Sequence, residues 1–501
     1  MAELVIKSPA TGAEVGRAPI LSPAEVDAAV ARARVASGPW GAMTFAQRSE
    51  ALSDFRRALA NAADELAELL SAENGKPLAE SYVELIATLS HVGHAATRAE
   101  KALAPRKVSP GILANFRATI SYAPLGVIGV IGPWNYPVQT PVGSIAYALA
   151  AGNAVVWKPS ELTPLIAVRI AEIAAATLPV RDTLQVVTGA GETGAALARA
   201  AVDKIAFTGS AATGKRVMMA AAERLTPVLL ELGGKDPMIV TDDADLEKAA
   251  EACVFGGLTN NGQACVSIER VYVAAAVHDK FVDELAKQVR ELKPGAAGND
   301  SADFGAMTSP GQVKIVRDHL EDAIAKGAKV IVGGPSEIEG NYIKPTILTN
   351  VDHTMKIMVE ETFGPVIPVA KVNSLDEAVR LANDSKFGLG SSVFAGSQAR
   401  AIADRIRAGM TSVNSVMGFA GIPSLPFGGV GDSGFGRIHG DEGLREFSRV
   451  KSTAEQTMSL PINMMTFRQP KNAVQRLKGM IHQVYGDGTV ARVQDLVRKW
   501  L

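Results

Sequence analysis

Short apolar strands that alternate with helical stretches constrain the fold of this chain more than any other feature of its sequence. The first five apolar runs lie at 125–131, 153–157, 184–187, 204–207 and 226–231. Apolar strands separated by helices are typical of a parallel sheet buried on both faces. The alternation resumes beyond residue 236, with strands predicted at 237–240, 268–274, 328–333, 366–370 and 410–414. The sequence therefore predicts the α/β class, with a domain boundary near residue 236.

Helix signals precede and interrupt these strands. Ser22-Pro23-Ala24-Glu25 combines a capping box with proline at the first helical position, which predicts a helix to about Ala36. Residues 45–73 and 78–103 are alanine-rich with helical periodicity. Thr163-Pro164 predicts another capped helix.

Composition narrows the classes of function. The 501 residues include 51 basic and 52 acidic side chains, so we expect no nucleic-acid partner, because phosphate binding needs a cationic surface. Two cysteines cannot form a disulfide framework, and seven histidines give little basis for a metal cluster. The first residues lack the pattern of a signal peptide, and the most apolar stretch, 138–157, is too interrupted to span a membrane. We expect a cytoplasmic protein without a bound metal.

The last part of the chain has a different texture. Residues 459–501 contain two short amphipathic helical patterns, and their basic residues outnumber their acidic ones. We favour a surface or subunit-contact extension. An interfacial membrane anchor is the alternative, since basic amphipathic helices bind lipid surfaces.

Two glycine-rich turns follow strand-like runs and could bind a phosphate. Residues Gly189–Gly194 match the G-x-G-x-x-G pattern of dinucleotide-binding proteins, but no acidic residue ends a strand about twenty positions further on. A tight turn that begins a helix explains this pattern equally well. The turn Phe207–Gly214 has small residues whose amides could hold a phosphate, and its hydroxyls also suit N-capping.

Several side chains could carry chemistry. Cys265 follows a polar, glycine-containing run that predicts a loop, which suits a nucleophile, whereas Cys253 lies in an apolar run and is expected to be buried and structural. Glu231 ends an apolar strand and could be a salt-bridged structural residue or a general base with a raised pKa. His91 and His94 lack a third ligand nearby, so we expect a solvated helix face there.

Together these segments resemble the aldehyde dehydrogenase superfamily over residues 5–455. The segments that carry the resemblance are PWNYP (133–137), WKPSE (157–161), FTGS (207–210), LELGGK (230–235), NNGQAC (260–265), EETFGP (360–365) and PFGG (426–429). The resemblance implies NAD(P)-dependent oxidation of a small-molecule aldehyde to the carboxylic acid. It implies a Cys265 nucleophile, oxyanion stabilisation by Asn135 and the Cys265 amide, and a Glu231 general base.

The resemblance also implies a cofactor site formed by Trp134, Lys158, Glu161, Gly209, Ser210, Glu361 and Phe363. Under that assignment the Gly189–Gly194 turn does not hold the cofactor. Glu161 would accept hydrogen bonds from a ribose 2′-hydroxyl and repel a 2′-phosphate, which favours NAD, although Lys158 could still allow NADP. Relatives that transfer the acyl group to coenzyme A usually lack a carboxylate at the Glu231 position, so Glu231 favours hydrolysis.

One position departs from the family. Many relatives have a glutamate directly after the glycine-arginine pair that follows PFGG, whereas Ile438 and His439 follow that pair here. A proton-relay role for a second acid is therefore not carried over, and the nearby Glu442 does not inherit it.

The substrate tunnel implied by the family is mostly apolar. Its expected lining is Tyr136, Val142, Tyr147, Val266, Met417, Phe419 and Leu425, although several of these could simply pack the core. An apolar tunnel favours an aliphatic or aromatic aldehyde. Arg270 could bind a semialdehyde carboxylate, but we expect it to form a salt bridge with Glu269 or another acid. A succinate-semialdehyde dehydrogenase and a catalytically inert binding protein are the alternatives.

The resemblance also implies a domain layout, an aldehyde-dehydrogenase-like fold with a Rossmann-like sheet. We expect residues 1–114 and 125–236 to form the NAD(P)-binding domain and 237–431 the catalytic domain. Strands at 115–124 and 450–458 should pair as the β-hairpin arm of a homodimer or homotetramer, followed by the amphipathic extension at 459–501.

Overall fold

The computed structural model describes residues 2–295, 299, 301–459 and 466–486. The chain forms two compact units, Met1–Ala104 with Tyr122–Val450, and Pro105–Ser121 with the chain from Lys451 onwards. The helices are α1 (Pro23–Ala42), α2 (Phe45–Asn61), α3 (Ala63–Asn74), α4 (Leu78–Leu103), α5 (Gln139–Ala150), α6 (Leu165–Thr177), α7 (Gly191–Arg199), α8 (Ala211–Ala222), α9 (Leu246–Leu258), α10 (His278–Glu291), α11 (Pro310–Ala325), α12 (Lys356–Val359), α13 (Leu375–Asn383), α14 (Ala399–Ala403), α15 (Gly418–Gly421), α16 (Gly440–Glu446) and α17 (Ala473–Tyr485).

The strands follow the same chain order. They are β1 (Glu3–Lys7), β2 (Glu14–Pro19), β3 (Arg106–Val108), β4 (Phe116–Pro124), β5 (Val127–Ile131), β6 (Ala154–Lys158), β7 (Leu184–Val186), β8 (Lys204–Thr208), β9 (Val228–Glu231), β10 (Asp236–Val240), β11 (Ile268–Ala274), β12 (Lys329–Val332), β13 (Ile338–Glu339), β14 (Tyr342–Ile343), β15 (Thr346–Thr349), β16 (Val366–Val372), β17 (Ser392–Phe394), β18 (Ser412–Val413), β19 (Gly434–Phe435) and β20 (Ser448–Gln456).

Six strands form the first sheet of the larger unit, in the order β19-β9-β8-β5-β6-β7. Strands β5 to β9 pair in parallel, and β19 adds an antiparallel edge. The five strands predicted between residues 125 and 231 are confirmed. Strand order reverses between β5 and β8, which lie side by side. Ligands of such sheets bind outside the carboxyl ends of the strands at this reversal.

Seven strands form the second sheet of the same unit, in the order β12-β15-β16-β11-β10-β17-β18. Its pairings are parallel except for that of β12 with β15. All five strands predicted beyond residue 236 are present. We missed β15 and β17, which are short and rich in threonine or serine.

The N-termini of α1 and α6 test the two helix caps that were predicted from the sequence. The capping box at Ser22 begins α1 as predicted, but the helix continues past Pro39 to Ala42. Its last turn is held because the buried Trp40 indole donates a hydrogen bond to the Leu149 carbonyl at 3.0 Å. The prediction that Thr163 caps a helix is wrong. The Glu73 carboxylate accepts instead from the amides of Leu165 (2.7 Å) and Ile166 (2.9 Å).

The smaller unit contains a three-stranded sheet in the order β20-β4-β3. Arg117 and Glu455 form an ion pair at 3.1 Å, and the Asn115 side chain donates to the Met458 carbonyl at 3.1 Å. Strands β4 and β20 therefore lie side by side where the arm was predicted, and its role in assembly stays a prediction. Helix α17 covers the first amphipathic pattern, whereas most of the second lies outside the described residues.

Membrane spans and metal sites were searched over the same described ranges. No helix there has the length and apolar composition needed to cross a bilayer. No group of three or more His, Cys, Asp or Glu side chains in those ranges could hold a metal ion.

Candidate active site

A cavity of about 840 Å³ lies at the carboxyl end of the six-stranded sheet. Its wall includes Ile131, Lys158 and Thr208, which end β5, β6 and β8, and Leu232, which follows β9. The cavity therefore lies where strand order reverses, which is the usual ligand position in open α/β sheets.

Nine of the predicted site residues lie on the wall of this one cavity. They are Cys265, Asn135, Trp134, Lys158, Glu161, Gly209, Ser210, Glu361 and Phe363. The fold thus brings the predicted nucleophile and oxyanion donor together with all the predicted cofactor residues. Gly191 and Gly194 lie on the same wall, although the family resemblance implied that the Gly189–Gly194 turn does not hold the cofactor.

The loop that carries Cys265 depends on left-handed backbone. After α9 ends, Asn260, Asn261 and Gly262 all have positive φ, between 49° and 68°. Asparagine tolerates this region, and glycine is required at 262, because a Cβ there would lie 2.2 Å from the Gly364 carbonyl oxygen. The three residues reverse the chain and bring the half-buried Cys265 to the cavity wall.

The polar side chains of this loop are used to hold it. Gln263 accepts from the Thr308 amide (3.0 Å) and donates to the Asn260 carbonyl (3.0 Å). Asn261 accepts from the Gly305 amide at 3.1 Å. The Glu80 carboxylate accepts from the Asn260 amide at 2.7 Å. The polar run that precedes Cys265 therefore fixes the position of the sulfur.

Asn135 is held by both its main chain and its side chain. Its carbonyl accepts from Lys76 Nζ at 3.0 Å and from Asn260 Nδ2 at 2.9 Å. Its own Nδ2 donates to the Gln263 carbonyl at 2.8 Å. An amide nitrogen has two hydrogens, so the second remains for a ligand in the cavity.

A buried ion pair that the sequence analysis missed supports this loop. Lys76 Nζ and Glu84 Oε2 lie 2.6 Å apart, and neither side chain is exposed to solvent. The other Glu84 oxygen accepts from the amides of Val138 (2.9 Å) and Gln139 (3.0 Å), where α5 begins. The available sequence signal was the pair of charged residues at the end of α3 (Glu73) and in the short segment before α4 (Lys76).

Electrostatics oppose spontaneous ionisation of Cys265. Burial raises the pKa of its thiol above the ordinary value, and the nearby carboxylates of Asp236, Glu361 and Glu231 raise it further. The thiol is therefore protonated at neutral pH, and its proton must be removed for it to act as a nucleophile.

Glu231 lies outside the cavity wall but is electrostatically coupled to it. Its side chain is buried, and neither carboxylate oxygen has a hydrogen-bond partner in the described part of the chain. Burial raises its pKa well above the ordinary value, and the Arg437 guanidinium partly offsets this. Oε1 would lie 2.9 Å from a Cβ placed on Gly428. Glu231 forms no salt bridge with any described residue, so of the two sequence interpretations the general base is the one that its surroundings favour.

A second buried network positions Glu361 and Phe363 on the cavity wall. The Glu269 carboxylate accepts from the amides of Thr362 and Phe363, both at 2.8 Å, and pairs with Lys235. It holds Phe363 at φ 52°, with its ring edge-on to Trp134 at 5.4 Å between centroids. Glu361 accepts from the Gly234 amide at 2.9 Å, and burial raises its pKa to about 8.

The end of the cavity near β8 fits a dinucleotide phosphate. Ser210 caps α8 by accepting from the Thr213 amide at 3.3 Å, and the first turn of α8 has no acidic residue. A Cβ on Gly209 would lie 2.7 Å from the Phe207 ring, so a larger residue at this position would displace that ring. Free amides at a helix N-terminus complement an anionic pyrophosphate. Lys158 and Glu161 pair at 3.3 Å on the same wall.

The predicted tunnel residues have different surroundings. Val142, Val266 and Phe419 are buried in the apolar cluster against which Cys265 and Met417 pack. Tyr147 belongs to that cluster but donates to the Pro423 carbonyl at 2.9 Å, as a core residue would. Tyr136 lies under Lys76 Nζ at 4.2 Å, and Leu425 is 42% exposed.

Arg270 does not form the expected salt bridge. Its guanidinium is 1% exposed and donates to the carbonyls of Lys235, Leu381 and Ala382 at 2.7–3.1 Å. Glu269 pairs with Lys235 instead. Carbonyl groups just before β10 and near the end of α13 accept the hydrogen bonds of the Arg270 guanidinium, so this side chain is also not available to a substrate carboxylate.

The predicted solvated face at His91 and His94 is wrong. His91 is fully buried and stacks on His439 at 3.6 Å between ring centroids, and His94 is half-buried. Burial lowers the pKa of His91 to about 4.

The position that departs from the family pattern is buried. His439 and Ile438 are both buried there, whereas Glu442 is exposed and pairs with Arg445 at 3.6 Å. Cys253 is fully buried, as predicted.

Comparisons with known proteins give the family. The family model described as "Aldehyde dehydrogenase family" matches residues 2–453. The chain belongs to the aldehyde dehydrogenase family. A Methylomonas protein named 4,4'-diapolycopene aldehyde oxidase is 39% identical over 98% of this chain and 93% of its own length. A Mycobacterium tuberculosis protein provisionally named as an NADP(+)-dependent succinate-semialdehyde dehydrogenase is 40% identical over 89% of this chain and 87% of its own.

Solved structures of aldehyde dehydrogenases have the same fold. The NAD-dependent enzyme of Sinorhizobium meliloti superposes with a TM-score of 0.88 at 35% identity, covering 93% of each chain. An Escherichia coli NADP-dependent enzyme gives 0.87 at 33% identity, covering 91% of this chain and 95% of its own. This aldehyde dehydrogenase therefore has the family's α/β fold and oxidises an aldehyde with reduction of NAD(P).

Proposed function

We propose that this aldehyde dehydrogenase converts an apolar aldehyde to the free acid through a covalent intermediate on Cys265. The observation that carries the proposal is that Cys265 and Asn135 share one cavity wall with the residues suited to a dinucleotide. An apolar cluster packs against the same cysteine.

The first step is addition of the Cys265 sulfur to the aldehyde carbon. The thiol proton leaves to bulk water, either directly or through Glu231, so that Glu231 is unprotonated for the third step, and the carbonyl oxygen becomes an oxyanion. The free Asn135 N–H and the Cys265 amide donate to that oxyanion. One such donor is worth about 3 kcal/mol of barrier.

The second step converts the thiohemiacetal on Cys265 to a thioester. NAD(P)+ supplies the hydride acceptor when it is bound. Trp134, Phe363 and Glu361 would hold the nicotinamide end, Gly209 and Ser210 the pyrophosphate, and Lys158 and Glu161 the adenosine ribose.

The third step is hydrolysis of the thioester. Glu231 accepts a proton from water, which attacks the acyl carbon, and the Cys265 sulfur leaves with the acid released. The raised pKa of Glu231 makes it a stronger base than an ordinary carboxylate. Its two unpartnered oxygens leave it free to bind that water.

The apolar cluster supports an aliphatic or aromatic aldehyde as the substrate. Val142, Val266, Phe419 and Met417 provide no charge to pair with a carboxylate. Arg270, the cation considered as a partner for a semialdehyde carboxylate, donates its hydrogen bonds to main-chain carbonyl groups. A succinate-semialdehyde substrate, as in the provisional name of the mycobacterial relative, is therefore the second candidate.

We also propose NAD as the preferred cofactor, on the position of the Glu161 carboxylate, with NADP as a weaker alternative. Residues 1–114 with 125–236 would form the cofactor domain and residues 237–431 the catalytic domain. Strands β4 and β20 would form the assembly arm of a homodimer or homotetramer that works in the cytoplasm.

Two variants test the covalent mechanism. Cys265→Ser should reduce turnover by more than about a thousandfold, because a hydroxyl is far less nucleophilic than a thiolate. Glu231→Gln should keep a first-turnover burst of reduced cofactor while the acyl-enzyme accumulates, visible by mass spectrometry of the intact chain. Retained turnover in the serine variant, or unchanged deacylation in the glutamine variant, would contradict the respective role.

A further inference from the structure

Helix α17 presents an apolar face that no described residue covers. The side chains of Val474, Leu477, Ile481 and Tyr485 recur at helical spacing and are 36–69% exposed. None of the thirteen residues of α17 is buried, and only three of them, Ala473, Met480 and Val484, are half-buried. Phe467, just before the helix, is fully exposed. A water-soluble protein would gain by covering such a face.

The charges around this face have one sign. At 100° per residue, the side chains of Val484 and Met480 extend this face beyond Leu477. Arg476 and Lys478 flank the extended face on either side, and Arg468 and Lys471 precede the helix. No acidic residue occurs between Glu455 and Asp487 in the sequence. None of the four cations forms an ion pair with another described residue.

We propose that α17 docks in the interface of a membrane with anionic lipid headgroups. Its apolar side chains would enter the headgroup boundary, while Arg476 and Lys478 would reach the phosphates from both edges. This arrangement is typical of interfacial amphipathic helices. A second copy of α17 is the poorer occupant, because packing two of these faces together would bring the same cations against each other.

The position of α17 in the chain supports a role separate from catalysis. The family model ends at residue 453, before the helix begins, and every residue of the cavity wall lies at or before Phe363. Docking would therefore bring the enzyme to a lipid surface without using any residue proposed for the reaction. The inference does not depend on the mechanism proposed above.

Vesicle sedimentation with the full-length enzyme tests the proposal. Vesicles of phosphatidylcholine with about 30 mol% phosphatidylserine should bind the protein, and pure phosphatidylcholine should bind it at least about tenfold more weakly, since each basic residue near an anionic surface contributes severalfold. Arg476→Glu/Lys478→Glu should reduce binding to the anionic vesicles by more than about tenfold.

A matched pair of substitutions distinguishes the contribution of the apolar face to vesicle binding from the contribution of net charge. Leu477→Glu and Gln483→Glu each add one negative charge, but only the first lies on the apolar face. We expect Leu477→Glu to lower vesicle binding by about tenfold and Gln483→Glu by less than about threefold. Turnover of a water-soluble aldehyde verifies that each variant is folded.

Three outcomes would overturn the proposal. One is equal binding to both kinds of vesicle, and another is an equal loss for the matched pair. The third is a change of oligomeric state by sedimentation velocity in lipid-free buffer with Leu477→Glu alone, which would assign the face to a second copy. None of these measurements needs the aldehyde chemistry, so they remain informative if the Cys265 mechanism fails.

Discussion

Glu161 is the residue on which the proposed cofactor preference depends. Its side chain is 47% exposed and pairs with Lys158, which is almost buried. In the proposed site the Glu161 carboxylate would repel a 2′-phosphate and Lys158 would attract one, so the two side chains would have opposite effects on NADP binding.

Replacing Glu161 with serine should therefore raise the use of NADP relative to NAD. We expect the ratio of kcat/KM for NADP to that for NAD to increase by about tenfold or more, because repulsion between near charges at a protein surface is worth roughly 1–4 kcal/mol. Steady-state kinetics with both cofactors measures the ratio. Glu172→Ser, on a helix away from the cavity wall, is the control, and an unchanged ratio in Glu161→Ser would show that other residues select the cofactor.

The carboxylates around Cys265 predict a pH dependence. Alkylation of the cofactor-free enzyme by iodoacetamide requires the thiolate, and burial with the nearby charges raises the pKa of the thiol. Its alkylation rate should therefore still rise with pH above the range of a free thiol. Since the pKa of Glu361 is about 8, its negative charge opposes thiolate formation in that range.

Removing the Glu361 charge should shift the pH dependence of Cys265 alkylation. With Glu361→Gln, the alkylation curve is expected to shift to lower pH, because the thiolate loses a repulsive neighbour. Mass spectrometry locates the label on Cys265, and the buried Cys253 serves as an internal reference. A shift to higher pH, or none, would contradict the prediction that the Glu361 charge raises the pKa of the thiol.

At the scale of elements, α4 positions the loop that carries Asn135. The Lys76–Glu84 pair connects the start of α4 with the Asn135 carbonyl and the first amides of α5. Removing Lys76 alone would leave a buried unpaired carboxylate, at a cost of about 3–5 kcal/mol. A variant that removes both charges together is therefore the better probe.

We expect Lys76→Met/Glu84→Gln to slow the first-turnover burst by about ten- to a hundredfold, because small displacements of a positioned donor have large effects on rate. If the pair acts through Asn135, the same change should cost little further in an Asn135→Ala background. Stopped-flow absorbance of reduced cofactor gives all four rates. Losses that multiply in the combined variant would assign the pair a general structural role.

Elements also show what a sequence can and cannot predict. The strands of the first sheet were predictable because each is a continuous apolar run between helices. The cap of α6 was not, because its acceptor is Glu73, more than ninety residues away. Arg270 was misjudged for the same reason. Its partners are the carbonyl groups of Leu381 and Ala382, which no pattern around residue 270 encodes.

At the scale of the whole molecule, the motifs predicted which residues form the site but not the buried ion pairs that hold those residues in place. Cys265, Asn135 and the cofactor residues were named from the resemblance, and the fold places them on one cavity wall. The buried pairs Lys76–Glu84 and Lys235–Glu269 were missed, because charged residues in a sequence are normally expected at the surface. Their burial becomes visible only when the separate segments meet.

The hydrogen-bonded loop before Cys265 contains positions that tolerate little substitution, in contrast to the apolar positions predicted to line the substrate tunnel. Asn260, Asn261, Gly262 and Gln263 each satisfy a backbone or hydrogen-bond requirement. The side chains of Leu425 and Met417, by contrast, form no hydrogen bonds in the described chain; Leu425 is 42% exposed and Met417 is half-buried. A directed-evolution library aimed at new aldehydes should therefore diversify these apolar positions and keep the four loop residues fixed.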